Sequence, residues 1–328
     1  MTRAKPILAV SIAVAFTFSH GTQAAETMRA AVLTGGGAVK IESVPVPEPA
    51  AGQVRIKVIT ASVNPVDWKL ASRAAPGSRS IAGRDLAGVI DAVADPSGPW
   101  KKGDPVIALA QSGSYAEYAL ASTTAIARKP ARMSFDEAAG MPVVAETGWR
   151  AVVTVGEVKK GQKVLIHGAA GGVGSSAVQI AKARGAYVIG TASARNHAFL
   201  QSLGADETID YNTTRFEDKV KDVDVVVNTV DADTNARSVG VVKKGGILVS
   251  VVGAPDADAC SKAGIRCAIT GSVNGQMLPK VVELADAGQF RVSVEQRLPL
   301  AEASKAWQEN RTGHTRGKIV LEVAADPT

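Results

Sequence analysis

Gly168, Gly171, Gly172 and Gly174 stand between an apolar run, Val164-Leu165-Ile166, and a stretch of small and apolar residues that ends at Gly185. Strand, glycine turn and helix in that order make an anion cradle. The first N–H groups of a helix lack intrahelical acceptors, and the helix dipole places partial positive charge there. The Gly-x-Gly-x-x-Gly pattern survives as Ala169-x-Gly171-x-x-Gly174, which suits a tight turn, close approach of a pyrophosphate and close helix–strand contact. Ala170, Gly171, Gly172, Val173 and Gly174 are therefore the expected phosphate-binding segment of a dinucleotide site. About twenty residues after such a motif begins, an NAD-binding chain carries Asp or Glu for the ribose 2′-hydroxyl. Here the text is Gly190-Thr191-Ala192-Ser193-Ala194-Arg195-Asn196, without an acid. The Arg195 guanidinium suits a 2′-phosphate, and Ser193 and Asn196 can donate hydrogen bonds, so NADP(H) is expected over NAD(H).

Other chemistries find less support. His167, His197 and His314 are scattered singly, and two cysteines cannot build a four-thiolate zinc site. Cys260 and Cys267 either pair across a short loop or remain free thiols, Cys267 facing inward on a strand; the spacing leaves both open. No Gly-x-Ser-x-Gly elbow with ordered triad partners is present, which argues against a hydrolase. The formal charge of +6 is spread along the chain without a basic run, so no nucleic-acid partner is expected.

The 328 residues, 46% hydrophobic and 21% charged, suffice for two domains. Arg3 and Lys5, an apolar core over 7–18 and Thr22-Gln23-Ala24 have the order of a secretory signal peptide, with cleavage expected after Ala24 or Ala25. Used, that leader makes the protein exported or periplasmic. Translation from Met28 would make it cytoplasmic. After the leader no apolar run is long enough to span a bilayer, so no membrane partner is expected.

Residues 1–27 are then a leader and short lead-in. Over 28–145 short alternating segments (54–59, 86–93, 104–109) are broken by Pro47-Glu48-Pro49, Pro76-Gly77 and Pro96-Ser97-Gly98-Pro99, which predicts a mostly antiparallel barrel. Ser134 and Glu137 form a capping box for a helix over 134–140. Over 146–272 the period becomes strand–helix alternation, with strands at 164–166, 187–191, 208–210, 225–228, 246–252 and 266–270 and a helix at 196–203. Six such strands predict a doubly wound parallel sheet, an α/β fold. A helix over 277–287, a strand, a helix over 301–310 and a strand over 318–323 are expected to return and complete the first domain, so that 273–328 joins 28–145.

The chain resembles the medium-chain dehydrogenase/reductases, specifically their zinc-independent, zeta-crystallin-like quinone oxidoreductase branch. The resemblance rests on Ala61-Ser62-Val63-Asn64-Pro65-Val66-Asp67-Trp68-Lys69, Gly83-Arg84-Asp85-Leu86-Ala87-Gly88-Val89, Lys102-Gly103-Asp104-Pro105-Val106 and Tyr115-Ala116-Glu117-Tyr118. It continues through Ala138-Ala139-Gly140-Met141-Pro142, the glycine stretch and Arg316-Gly317-Lys318-Ile319-Val320-Leu321. It implies a GroES-like, mostly-β barrel domain beside a Rossmann domain, with the active cleft between them. It also implies hydride transfer from NADPH to a quinone or an α,β-unsaturated carbonyl, and a homodimer through the sixth parallel strand. Asn64 is placed beside the nicotinamide and acceptor, with an amide that can donate to the acceptor oxygen. Thr147 is placed near the nicotinamide ribose, Val252 and Gly253 near the ring, and Tyr211 over the 2′-phosphate. The segments that carry a zinc-binding Cys and His in metal-dependent relatives read Val63-Asn64-Pro65 and Gly83-Arg84-Asp85, so no metal is expected. Asp67, Lys69 and Arg84 either line the cleft or form a local charge network. No general acid is identified.

Two departures stand out. Asn228-Thr229-Val230-Asp231 brings a carboxylate toward the nicotinamide edge, and Asn212-Thr213-Thr214 is a sequon beside Tyr211. Because an export leader delivers the chain to a compartment poor in NADPH, the alternative function is an exported, non-catalytic small-molecule or partner-binding protein that retains the fold.

Overall fold

The computed structural model describes residues 26–34, 37–75 and 77–326. The predicted leader, and Pro76 of one predicted turn, lie outside them.

Two sheets and one hairpin pair organise the described residues. Strands β8 (Lys163–His167), β9 (Tyr187–Ala192), β10 (Glu207–Asp210), β11 (Val223–Asn228), β12 (Val242–Ser250) and β13 (Arg266–Ile269) form a parallel sheet in the order β10-β9-β8-β11-β12-β13. Val164, Leu165, Ile166, Val226 and Val227 are fully buried, as strands covered by helices on both faces require. The register places Asn228 opposite both His167 and Ser250, so three polar side chains share a row where these strands end. Ligands of doubly wound sheets sit outside those carboxyl ends, where the strand order reverses between β8 and β11.

The second sheet takes its strands from both ends of the chain. β3 (Gln53–Ser62) pairs antiparallel with β4 (Asp85–Val93), with β6 (Tyr118–Ser122) and with β15 (Lys318–Glu322). β5 (Pro105–Leu109) and β7 (Ile126–Arg128) extend one side, and β14 (Val294–Pro299) runs parallel to β15 on the other. The C-terminal segment thus lies in the first domain's sheet. β1 (Thr27–Leu33) and β2 (Val39–Pro45) pair separately and join the rest through bridges from Ala30 to Ala116 and Val32 to Ile81. Ile56, Leu86, Ile90, Tyr115 and Trp307 fill the barrel interior.

Between the sheets run α2 (Phe135–Ala139), α3 (Pro142–Trp149) and α4 (Gly172–Ala183). Ser134 and Glu137 cap α2 reciprocally, as predicted. The largest boundary difference is in β12, which runs from Val242 to Ser250 rather than over 246–252, with Val251 N–H still bonded to the Asn228 carbonyl at 2.9 Å. Cys260 and Cys267 form a disulfide between α7 (Ala257–Ala263) and β13, with Cα atoms 6.1 Å apart.

Candidate active site

The glycine turn has the shape its sequence requires. Gly168 takes φ 64°, where a Cβ would also lie 2.5 Å from the Thr229 hydroxyl. A Cβ on Gly174 would lie 2.2 Å from the Gly168 carbonyl oxygen, so α4 can press onto the turn only with glycine there. Gly171 is the helix N-cap, and a Cβ on it would meet nothing closer than 3.4 Å. That face is open. The N–H groups of Gly172, Val173 and Gly174, in the first turn, have no intrahelical acceptor. A crowded turn, an open glycine face and free donors fit a pyrophosphate, with Ala170 to Gly174 as its holders.

At the end of β9, Ser193 starts a short turn and its hydroxyl accepts from Asn196 Nδ2 at 3.2 Å. Arg195 is exposed and its guanidinium reaches the His314 carbonyl at 3.4 Å. Tyr211, at 56% exposure, follows β10. The carboxylate nearest in register to the β9 end is Asp210, opposite Ala192. Its oxygen already accepts from the backbone N–H and side-chain amide of Asn212, and those bonds hold its pKa below the usual range. The end of β9 therefore offers Ser193, Arg195 and Asn196 but no uncommitted acid to a ribose. Asn212 of the sequon is bound within this turn.

Thr147 is buried on α3, which packs against α4 where a Cβ on Gly148 would sit 3.0 Å from Ser176 Cβ. Val252 and Gly253 follow β12, with Val252 N–H donating to Ser250 and the Gly253 carbonyl accepting from Asn235. Asp231 departs from expectation. Its carboxylate caps α6 (Ala232–Ser238), accepting from Thr234 N–H at 2.8 Å, and that bond lowers its pKa. One of its oxygens is thus engaged in the helix cap.

In the barrel, Asn64 caps α1 (Pro65–Arg73) and is only 1% exposed. Its Nδ2 donates to Asp85 at 2.9 Å and its Oδ1 accepts from Lys318 Nζ at 2.5 Å. The expected donor to an acceptor oxygen is thus largely engaged inside the protein, with one Nδ2–H left over. Asp67 accepts from the Asn64 backbone and from the Tyr115 hydroxyl at 2.9 Å, and Trp307 Nε1 donates to Tyr115. Asp85 also accepts from Ser62 and from Val143 N–H. Burial raises the Asp67 carboxyl to about 7, against the hydrogen bond from Asn64, with the Asp85 charge adding to the rise. Burial likewise raises Asp85 and lowers Lys318, each opposed by the other's charge.

The predicted trio does not form one charge network. Asp67 points inward, whereas the exposed Lys69 lies over the Trp68 ring. Lys318, Asp85 and Tyr115 complete this centre beyond the residues that the resemblance points to. The sequence signal for Lys318 is a lysine opening an otherwise apolar last strand. For metals, both cysteines are spent in the disulfide, and His167 is held by Thr191 and Ser238. Among the described residues no group of three or more His, Cys, Asp or Glu is arranged to hold an ion.

Barrel and cradle meet at one strand end. Gly317 N–H donates to the Ala170 carbonyl at 2.9 Å, Gly317 bridges Gly171, and the next residue is Lys318. The Glu146 carboxylate adds a second tie, accepting from the N–H groups of Asn274 and Gly275.

Comparison with known proteins adds the following. Residues 50–131 match the family described as "Alcohol dehydrogenase GroES-like domain", and residues 203–321 match "Zinc-binding dehydrogenase". The chain is 35% identical over 301 residues to a 2-methylene-furan-3-one reductase of Solanum lycopersicum, covering 86% of this chain and 75% of that one. It is 34% identical, with the same coverage, to a chloroplastic NADPH-dependent alkenal/one oxidoreductase of Arabidopsis thaliana. The structure of the quinone oxidoreductase from Coxiella burnetii superposes with a TM-score of 0.82 at 32% identity, covering 91% of this chain and all of the other.

Proposed function

The chain belongs to the medium-chain dehydrogenase/reductase superfamily, in its quinone oxidoreductase branch, and on that premise we propose a zinc-independent, NADPH-dependent reductase of quinones or α,β-unsaturated carbonyls. An oxidoreductase of this family acts on small molecules with a nicotinamide cofactor. One observation carries the finer reading. The cradle for the cofactor's phosphates is bonded directly, through Gly317 and Lys318, to a centre built on Asn64 where metal-dependent relatives would place a ligand. The cofactor would supply the hydride. Ala170 to Gly174 would hold its pyrophosphate, and Ser193, Arg195 and Asn196 the 2′-phosphate, with Tyr211 beside them. Thr147, Val252 and Gly253 would border the nicotinamide end.

The test is NADPH and NADH oxidation over a panel of quinones and enones. The expected outcome is turnover with NADPH and a preference over NADH that falls about tenfold or more in Arg195→Ala, the loss of a charge-assisted phosphate contact. Equal preference in Arg195→Ala and the parent would remove the NADP(H) assignment.

We also propose that the protein works in an oxidising compartment after export, because its only two cysteines are paired and its first residues have the order of a signal peptide. Native protein beginning at Ala25 or Glu26, with no thiol alkylated before reduction, is expected; a start at Met28 argues for the cytoplasm. The free edge of β13, with Ile269 53% exposed, suits a homodimer. Sedimentation at the monomer mass would exclude it.

A further inference from the structure

Lys318 touches both halves of the proposed site. Its backbone follows Gly317, which bridges Gly171 of the cradle. Its stem passes between two glycines: Cβ atoms built on Gly140 and Gly172 would lie 3.3 Å from its Cγ and 3.1 Å from its Cδ. Gly172 opens α4, so the stem packs against the first turn that would face the pyrophosphate. At the far end, the buried ammonium donates to the Val63 carbonyl at 2.7 Å and to Asn64 Oδ1, with Asp85 3.9 Å away.

That placement reads the polarity of the Asn64 amide. A lysine ammonium has only donors and an ionised carboxylate only acceptors, so an amide held between them has one orientation. Oδ1 faces Lys318 and Nδ2 faces Asp85. One Nδ2–H is spent on Asp85 at 2.9 Å, and the second is the only polar hydrogen that the side chain can still offer. Reversing the amide would set its NH₂ against the ammonium and its oxygen against Asp85, two like-polarity contacts in a buried setting.

We propose that Lys318 is a positioning residue that couples the cofactor cradle to Asn64. Its ammonium fixes the amide so that an N–H remains for the acceptor oxygen, and its stem carries displacement of the Gly171–Gly174 turn to that amide. The proposal rests on the hydride-transfer reading above for its consequence, but not for its geometry. Neither Lys318 nor Asn64 needs to touch the phosphates for their states to depend on the cradle's occupancy.

The experiment compares the parent with Lys318→Met and with Lys318→Met/Asp85→Asn, in which both charges leave together and no unpaired ion is left at Asp85. The first readout is the Asn64 side-chain NH₂ pair, followed by ¹⁵N NMR during NADPH titration. The pair is expected to shift in the parent and to stay still in both variants. The second readout is kinetic. In the folded double variant kcat is expected to fall about tenfold or more, the scale of a misplaced contact, while the NADPH Kd changes less than about threefold. A merely structural role would leave kcat of that variant near the parent's. An unchanged kcat, or an Asn64 shift that persists in the variants, overturns the proposal. A parent that oxidises NADPH with no quinone or enone overturns the proposed function instead, and the NMR comparison still decides the coupling.

Discussion

At the C-terminal edge of the parallel sheet the buried cluster is neutral near pH 7, whereas the barrel cluster is built around a lysine and two carboxyl groups. The sheet-edge cluster joins His167 to Thr191 and Ser238, Asn228 to Asn235, and Asn235 to Ser250. Burial pushes the His167 pKa down to about 4, with Arg237 adding to the fall, so the ring is neutral near pH 7. The barrel cluster sets Lys318 against Asp85 around Asn64, with Asp67, which burial raises to about 7, beside them. A neutral cluster positions backbone around a ligand without a field of its own. A charged cluster holds a field at the cost of desolvating its ions, and it collapses unevenly when one member is lost. The neutral cluster underlies the cradle, and the charged one underlies the side proposed for the acceptor. That division suits a site where the cofactor brings charge to one half and the other must steady charge developing on an acceptor.

The largest expected effect breaks the charged cluster. Lys318→Met alone leaves the buried Asp85 without its cation, and a loss of about 3–5 kcal/mol is expected for such a broken pair. Urea denaturation near pH 8 should show it, and the loss should shrink as pH falls, because burial raises the Asp85 carboxyl and a proton there removes the unpaired charge. Lys318→Met/Asp85→Asn should recover much of the difference. A neutral cluster has no analogue of that pH-dependent rescue.

The next effect sets the clusters against each other. The folded Asp67 keeps a proton up to about 7 while the unfolded one loses it near 3.8, so this group's contribution is full at low pH and is lost as pH rises through 7. For His167 the sign is opposite. Its folded pKa of about 4 lies below the unfolded 6.5, so its contribution is full above 6.5 and is lost as pH falls toward 4. The His167 shift corresponds to about 3 kcal/mol across that window. Between pH 4 and 6.5 the two slopes oppose each other. Asp67→Asn should therefore leave a stability curve that rises more steeply with pH than the parent's, and His167→Asn one that falls relative to it. Urea midpoints measured from pH 4 to 8 in the three proteins test both signs at once.

The same contrast explains what could be read without coordinates. The cradle lies within one short stretch, Gly168 to Gly174, where strand, turn and helix each have a local pattern, so its place and its glycine roles were legible. The six parallel strands were legible for the same reason, their apolar runs being bounded by glycines and charges. The capping role of Asp231 has its signal in the residue type itself, an Asp just before a helix. The barrel cluster is different in kind: Lys318 and Asn64 are 254 positions apart, and only closure of β15 onto β3 brings them together. No spacing rule reports that. α3 has no periodic signal either, because Pro142-Val143-Val144-Ala145 carries no polar face, and a helix buried on nearly all sides loses the 3.6-residue alternation.

The smallest effect sharpens the neutral side. The Ser238 hydroxyl donates to the Thr234 carbonyl at 2.6 Å, so it has no proton left for His167 and accepts from Nε2–H at 3.1 Å. The ring must then carry its proton on Nε2 and accept at Nδ1 from Thr191 at 3.2 Å. Thr191→Val keeps the shape and removes that donor, leaving a buried acceptor unpaired, and a loss of about 1 kcal/mol is expected. The same change withdraws a hydrogen bond to the neutral ring and leaves Nδ1 freer to take a proton, so the His167 titration followed by NMR should move upward. Its counterpart in the barrel, Ser62→Ala, removes a longer 3.3 Å donor from Asp85, which retains Asn64, Val143 and the Lys318 charge. That variant should cost less than Thr191→Val. The reverse order would show that the ion cluster depends on its peripheral donors more than on its charges, and the contrast between the two halves would then lose its basis.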